Sequence, residues 1–402
     1  MTEKKTISQL ISTADFKNLW FVGAVSMSNQ WLEMLAISVF VYAATGSALA
    51  VTFTNLARAI PMVVFGAFIG SISDSINKKF FLFISFGILF LSSLVLSITS
   101  FFGHIEIWHI ALGMFLTGIV FSSDFPIRRN MLGEVSGIEN IGKGMGLDSI
   151  ARNGTRIIGP LIGGSLMEYI GLHGAYLVMA TFYFLNSIQL ILLKNNFHNK
   201  NYLKKNNYFS LVIEGIKYVR KNTQILGFLF VTIIMNIFAF PYIMIVPILA
   251  QDKLSISPLL TGILVSFEGL GAMIGAGIIV FLRTKKYFKK IYFFGSCIFM
   301  LAIILFGLSN IYSLSIIIIF LGGVGVGCFS TMQGTLPFLI APQEMRARTL
   351  GLVSVCIGVN PIGIIFIGFM AALLSPTYAL VISGSLGVFS MFILALIIKK
   401  TI

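Results

Sequence analysis

Twelve stretches of about twenty predominantly apolar residues follow one another along this 402-residue chain, and that repetition limits the fold more than any other feature. About twenty such residues let an α-helix cross the hydrocarbon core of a bilayer, where each backbone N–H and C=O must be bonded internally. The stretches run at about 19–43, 48–73, 80–102, 105–125, 145–169 and 172–193, then 225–250, 257–282, 289–309, 313–337, 348–373 and 377–398. Hydrophobic residues make up 57% of the chain and charged ones 10%, too few charges to solvate a water-facing surface. The polar leader to Asn18 has no small-residue cleavage site behind an apolar core, so the first stretch is expected to be retained. The expected fold class is an all-α integral membrane protein with twelve transmembrane helices.

A formal net charge of +14 invites a nucleic-acid partner, and the placement of the cations argues against one. Of the 28 Lys and Arg, Arg58, Arg152 and Arg156 lie within stretches and Lys253 in one set of connections; the other 24 fall in the alternate set and the tails. Such asymmetry is the positive-inside pattern, with the basic side cytoplasmic and facing anionic headgroups. An even number of spans, with Lys4, Lys5 and Lys17 at one end and Lys399 and Lys400 at the other, predicts both termini in the cytoplasm. The longest basic connection predicts three parts: a six-helix bundle over 1–193, a linker over 194–224 and a second bundle over 225–402. Within the linker Phe209, Val212, Ile216 and Val219 recur at helical spacing, which fits an amphipathic helix on the inner interface or a docked linker helix.

The two halves resemble each other. Gly146-Leu147-x-Ser149 recurs as Gly351-Leu352-x-Ser354. Gly66-Ala67 precedes Asp74 by eight residues, as Gly275-Ala276 precedes Arg283. Two repeated bundles with a binding site at mid-membrane are a common transporter plan. The stretch Gly70-Ser71-Ile72-Ser73-Asp74-Ser75-Ile76-Asn77-Lys78-Lys79 resembles the signature that follows the second span in the major facilitator superfamily, with Ser75 and Asn77 departing from it. Gly146 and then Gly159-Pro160-Leu161-Ile162-Gly163-Gly164 resemble the fifth-span motif of its exporters, with Thr155 where a further glycine is common. Glu344-Met345-Arg346-Ala347-Arg348 resembles its second-half Arg-Gly-Arg element, with Ala347 in place of glycine. Thr45-Gly46-Ser47, Arg58 with Pro61, Arg156 to Pro160, and Pro241 with Pro247 are similar to its enterobactin-exporter and macrolide-efflux branch.

The resemblance implies the major facilitator fold, two pseudo-symmetric six-helix bundles, in a multi-pass protein of a bacterial plasma or inner membrane. It further implies export of a small drug or siderophore by alternating access, in exchange for protons. A cytoplasmic gate is implied at Gly70, Asp74, Lys78, Lys79, Arg346 and Arg348, and helix packing at Gly146, Gly159, Pro160, Gly163 and Gly164. No cofactor and no metal are implied, and a monomer is expected. Uptake by a symporter of the same fold is the second reading. A membrane enzyme is a distant third, because no two acids are adjacent to hold magnesium.

Mid-membrane charge is the sharper signal. Glu33, Arg58, Arg156 and Glu268 fall near the middle of their stretches, with Arg152 one turn inward of Arg156 and Asp148 a further turn in. Each arginine facing lipid would cost about 2.5–3.5 kcal/mol, so these charges must pair or face water. Glu33 and Arg58, on neighbouring stretches at matching depth, are expected to pair, as are Asp148 and Arg152 at i and i+4. Glu268 has no sequence-local cation and is the candidate proton carrier, with static ion pairing as the alternative. Asn29, Gln30, Trp31, Asn236, Gln333 and Asn360 are candidates to line a substrate cavity or to bond between helices. Two motifs mislead: residues 137–144 approach a P-loop but end in Gly144 and follow no strand, and Gly322-Gly323-x-Gly325-x-Gly327 reads as packing.

Overall fold

The computed structural model describes residues 6–72, 77–195, 197, 222–281, 287–342 and 345–397, which form helices and short turns. In chain order the α-helices are α1 (Ile7–Ser12), α2 (Ala14–Thr45), α3 (Ala48–Ile72), α4 (Lys78–Phe101), α5 (Ile107–Ser136), α6 (Ile141–Tyr169), α7 (Leu172–Ile191), α8 (Thr223–Ile234), α9 (Val246–Asp252), α10 (Pro258–Phe281), α11 (Phe288–Leu308), α12 (Tyr312–Ile340), α13 (Arg346–Ile357), α14 (Asn360–Leu373) and α15 (Pro376–Ile397). Among the described residues ten helical segments are long and apolar enough to span a membrane. Helices α2 and α6 are long, at 32 and 29 residues, yet fall outside that set because polar and charged side chains such as Glu33, Asp148, Arg152 and Arg156 interrupt them. The linker stretch from Phe209 to Lys221 lies outside the described residues.

Contacts divide the chain into two compact units. Unit 1 comprises Met1–Gly46, Phe53–Leu203 and Ser257–Ser266; unit 2 comprises Ser47–Thr52, Lys204–Ile256 and Phe267–Ile402. In unit 1, α2 lies along α6 and α7, and α4 pairs with α7. The contacts are close because glycines remove the side chain. A Cβ on Gly159 would stand 2.8 Å from Ser28 O, one on Gly163 3.0 Å from Leu32 O, and one on Gly164 2.5 Å from Pro258 O. Pro160, buried between them, lies inside an unbroken α6. Gly146 differs from the packing role expected of it: nothing lies within 4 Å of its Cβ position, because the first turns of α6 are exposed there.

In unit 2, α11 packs along α12 and α15, and α10 meets α12 through a reciprocal glycine seam. Cβ atoms on Gly271 and Gly275 would approach Phe320 O and Val324 O to 2.1 and 2.2 Å; those on Gly323 and Gly327 would approach Glu268 O and Ala272 O to 2.2 and 2.1 Å. The glycine run that superficially looked like a nucleotide loop is therefore a helix-packing surface. At the end of α11, Lys253 Nζ donates to Gly307 O at 2.6 Å, a cation at the negative end of a helix, and desolvation holds its ammonium below the usual lysine range.

Three boundaries differ from expectation. The fourth stretch does not stop near residue 125, because α5 runs on to Ser136 and carries Asp124, Arg128 and Arg129 within it. The seventh is interrupted: α8 passes into a wide π-type turn over Met235–Ala239 and a tight 3-10 turn over Phe240–Met244 before α9. Pro241 has no N–H to return to Ile237 O, so a regular helix cannot close there. The eleventh is interrupted between α13 and α14, where Pro361 follows Asn360. The two interruptions touch: Asn360 Nδ2 donates to Asn236 O at 3.2 Å, and a Cβ on Gly363 would stand 2.4 Å from Ile237 O.

Substituting Gly323→Ala should force α10 and α12 apart and cost about 1–3 kcal/mol, read as a lowered thermal-unfolding midpoint in detergent. Gly146→Ala should leave that midpoint unchanged or raise it slightly.

Candidate functional site

Unit 1 buries several charged side chains, among them Glu33, Arg58, Lys78, Asp124, Arg128 and Asp148. Glu33 on α2 is 4% exposed and Arg58 on α3 is 8% exposed. Arg58 Nη1 stands 4.0 Å from Glu33 Oε2 and 3.5 Å from Gln30 O. Thr117 on α5 donates its hydroxyl to Glu33 Oε1 at 3.0 Å, and the buried tyrosines Tyr176 and Tyr183 of α7 lie within electrostatic reach of the carboxylate. Gly118 makes this meeting possible, since a Cβ there would stand 2.3 Å from Arg58 O. The result is a carboxyl group enclosed by four helices, with one cation at the limit of ion-pair distance and one hydroxyl donor.

A second charged cluster was not legible from spacing alone. Arg128, 1% exposed, reaches Asp124 one turn before it on α5 (3.4 Å) and donates to Asp148 Oδ1 on α6 at 3.0 Å. Ser26 of α2 donates to Asp124 Oδ2 at 3.0 Å. Gly23, also on α2, vacates the seat of the guanidinium: a Cβ there would be 2.2 Å from Arg128 Nη1. Arg129 Nε lies 3.6 Å from Asp148 Oδ2. The expected pairing of Asp148 with Arg152 is therefore corrected. Asp148 is taken by two arginines from α5, and Arg152 turns to Ser149 Oγ at 3.4 Å and to the face of Phe125. Tertiary contact across helices outweighs i,i+4 spacing here. The i,i+4 repeat of Asp124 and Arg128 was the available signal, hidden because these residues end the apolar run.

The half-buried Arg156 lies one turn beyond Arg152, with its guanidinium 5.0 Å from the ring centre of Trp31. Arg152 and Arg129 share the Phe125 ring at 5.5 and 5.2 Å.

In unit 2, Glu268 on α10 is 3% exposed and accepts a short hydrogen bond from the Tyr242 hydroxyl at the end of the interrupted segment. Phe299 packs edge-on against Tyr242, and Phe240 meets Phe299 and Phe329. Of the candidate cavity residues, Asn29 is fully buried and donates to Met179 O at 3.2 Å, and Asn236 is buried and donates to Thr232 O at 2.9 Å. Gln30, Trp31, Gln333 and Asn360 are half-buried.

The lysine pair of the expected gate is held inside unit 1. Lys78 is 1% exposed, with Nζ bonded to Glu134 Oε1 and, at 3.3 Å, to Asn130 Oδ1 on α5. Lys79 Nζ donates to Ile191 O and Leu193 O at 3.1 and 2.7 Å, capping the end of α7. Asp74 lies outside the described residues; Gly70, Arg346 and Arg348 are described by their place on α3 and α13 alone.

Replacing Arg128 with Ala should leave Asp124 and Asp148 uncompensated, at a cost of about 3–5 kcal/mol. The expected result is a loss of monodisperse protein in size-exclusion chromatography, with Arg128→Lys retaining part of it.

The helical fold agrees with what the chain resembles. A solved transporter of the POT family, in complex with a thioalcohol-conjugated peptide, superposes with a TM-score of 0.77 at 14% identity, covering 96% of each chain. In sequence the chain is 22% identical to macrolide efflux protein A of Streptococcus pyogenes over 383 residues, 92% of this chain and 93% of that one. It is also 22% identical to the staphyloferrin A transporter of Staphylococcus aureus over 351 residues, 85% of each. The model of the transmembrane secretion effector family matches residues 7–401. The chain is thus a multi-pass transporter rather than an enzyme, and it belongs to the transmembrane secretion effector family of the major facilitator superfamily.

Proposed function

We propose that this protein exports a small amphiphilic molecule, a drug or a siderophore, by alternating access in exchange for protons. The observation that carries the proposal is Glu33: a carboxyl group sealed within unit 1, 4.0 Å from Arg58 and bonded to Thr117. At that separation a small displacement of α3 against α2 decides whether the carboxylate keeps its counter-ion or takes up a proton. Glu268 with Tyr242 is the corresponding buried acid of unit 2. The family and the names of the two sequence relatives, one an efflux protein and one a siderophore transporter, support cargo of this kind.

In this reading the basic connections and both termini face the cytoplasm of a bacterium, beside anionic headgroups. The protein works as a monomer of two bundles, 1–193 and 225–402, joined by the 194–224 linker. Asp74 serves the cytoplasmic gate with Lys78, Lys79, Arg346 and Arg348. One proton moving down 100 mV supplies about 2.3 kcal/mol, enough to sustain a roughly 40- to 50-fold gradient of a neutral solute.

The test is a panel of fluorescent dyes and iron chelators in inverted vesicles under an imposed pH gradient. Wild type should accumulate a cargo only with the gradient present, and Glu33→Gln and Glu268→Gln should uncouple that accumulation; unchanged coupling in both would remove the proton-exchange reading. Asp74→Asn should lower the rate several-fold with the protein still folded. Reduced entry into cells lacking the protein, instead of intracellular build-up, would turn the direction to uptake.

A further inference from the structure

We infer that unit 2 carries a binding site for one anionic phospholipid, with an acyl chain in an apolar slot between α8, α11, α12 and α15 and the phosphate at the first turn of α11. The inference goes beyond the transport reading and needs neither its cargo nor its proton.

The slot lies where four helix ends meet. Phe228 and Val231 of α8, Phe293 of α11, Leu336 of α12 and Leu394 of α15 wall a space of about 430 Å³ counted out to its open mouth. From the exposed Gln224 to the buried Val231 is seven helical residues, a depth of about 10 Å. Tyr292 also lines the slot, and its hydroxyl is already engaged, 2.7 Å from Thr232 Oγ1 and 3.3 Å from Phe228 O. A polar solute would find no partner at that depth, so the slot selects hydrocarbon.

Positive charge gathers at the mouth. Half-buried Lys289 lines it, and exposed Lys290 follows on α11. Among the described residues neither lysine forms an ion pair or a side-chain hydrogen bond. Between Glu268 and Glu344 the sequence has no Asp or Glu, while Arg283, Lys285 and Lys286 lead into α11. Two helices begin at the mouth, and they differ. Asn222 caps α8 by accepting from the Gln224 and Ile225 N–H groups at 3.1 and 3.3 Å, whereas the Tyr287 side chain gives α11 no such cap. The positive end of a 21-residue helix and two ammonium groups thus converge, a combination suited to phosphate.

Orientation decides the class of ligand. The starts of α8 and α11 and the ends of α12 and α15 adjoin basic connections, the side read as cytoplasmic, where headgroups are anionic. A molecule that satisfies this site has an anionic head level with the helix ends and a hydrocarbon tail directed into the bilayer. A phospholipid of that leaflet already has this orientation. A soluble anion would engage the lysines and leave the slot unused; a zwitterionic lipid would fill the slot without neutralising the lysines.

Native mass spectrometry of the full chain tests the site. The protein is delipidated in a non-ionic detergent and titrated with phosphatidylglycerol, or with phosphatidylcholine of the same acyl chains, and the retained lipids are counted. One phosphatidylglycerol should bind at a concentration about tenfold or more below that needed for phosphatidylcholine. Lys289→Gln should weaken this first adduct about fivefold. Lys17→Gln, at an exposed lysine of unit 1, should leave it unchanged. Val231→Phe, which fills the slot, should remove the first adduct and spare the later, weaker ones. Inorganic phosphate in large excess should not displace it. Equal binding of the two lipids would overturn the site, as would equal affinity in the two Lys variants, an intact first adduct in Val231→Phe, or displacement by phosphate. If Val231→Phe loses its monodisperse peak in size-exclusion chromatography, the lipid pair and the lysine pair still decide.

Discussion

A guanidinium sealed between two carboxylates is the contact on which unit 1 depends. Arg128 draws together α5, which supplies Asp124, and α6, which supplies Asp148, while α2 contributes Ser26 as a donor and Gly23 as the space into which the group fits. Neither acid nor base could be held in hydrocarbon alone without a penalty of several kcal/mol, and together they exceed what any single helix pair can satisfy. Three helices are accordingly committed to one geometry. Glu33 and Arg58 extend the same arrangement along α2 and α3, with Thr117 of α5 as a further donor.

Unit 2 solves the packing problem differently. Its closest contacts are backbone on backbone, along the α10 and α12 glycine seam, and Glu268, the deeply buried acid among its described residues, is met by a phenol within an aromatic cluster. The halves resemble each other in sequence at Gly146 and Gly351, and both pack helices on glycines, yet their buried side chains differ: arginines with carboxylates in the first, an acid among aromatics in the second.

Hydropathy and spacing reveal the helices because a membrane enforces both, but they do not reveal the interruptions at Pro241 and Pro361, which leave the apolar runs unbroken. They do not reveal where α5 ends. The very residues that stop the apolar run, Asp124 and Arg128, are charged for an internal reason, and a scan for apolarity reads them as the start of a loop. The lysines of the signature after the second span, expected at the gate, also tie α4 to α5 and to the end of α7, contacts that spacing alone does not reveal. Glu33 and Arg58 could be matched by depth, because they lie on neighbouring stretches. Asp148 could not, since Arg152 stands one turn from it on α6 while Arg128 and Arg129 reach it from α5, and only the packing of α5 on α6 chooses among them.

The contact between the two interrupted helices has a mechanical consequence. An unbroken rod bends anywhere and weakly, whereas a rod with a flaw bends at the flaw. Here two flaws, one after α8 and one before α14, are pinned by the Asn360 amide on the Asn236 carbonyl and pressed together at Gly363. They share one fulcrum, so neither lever swings without the other, and a tilt that begins at the outer arm of one is delivered to both.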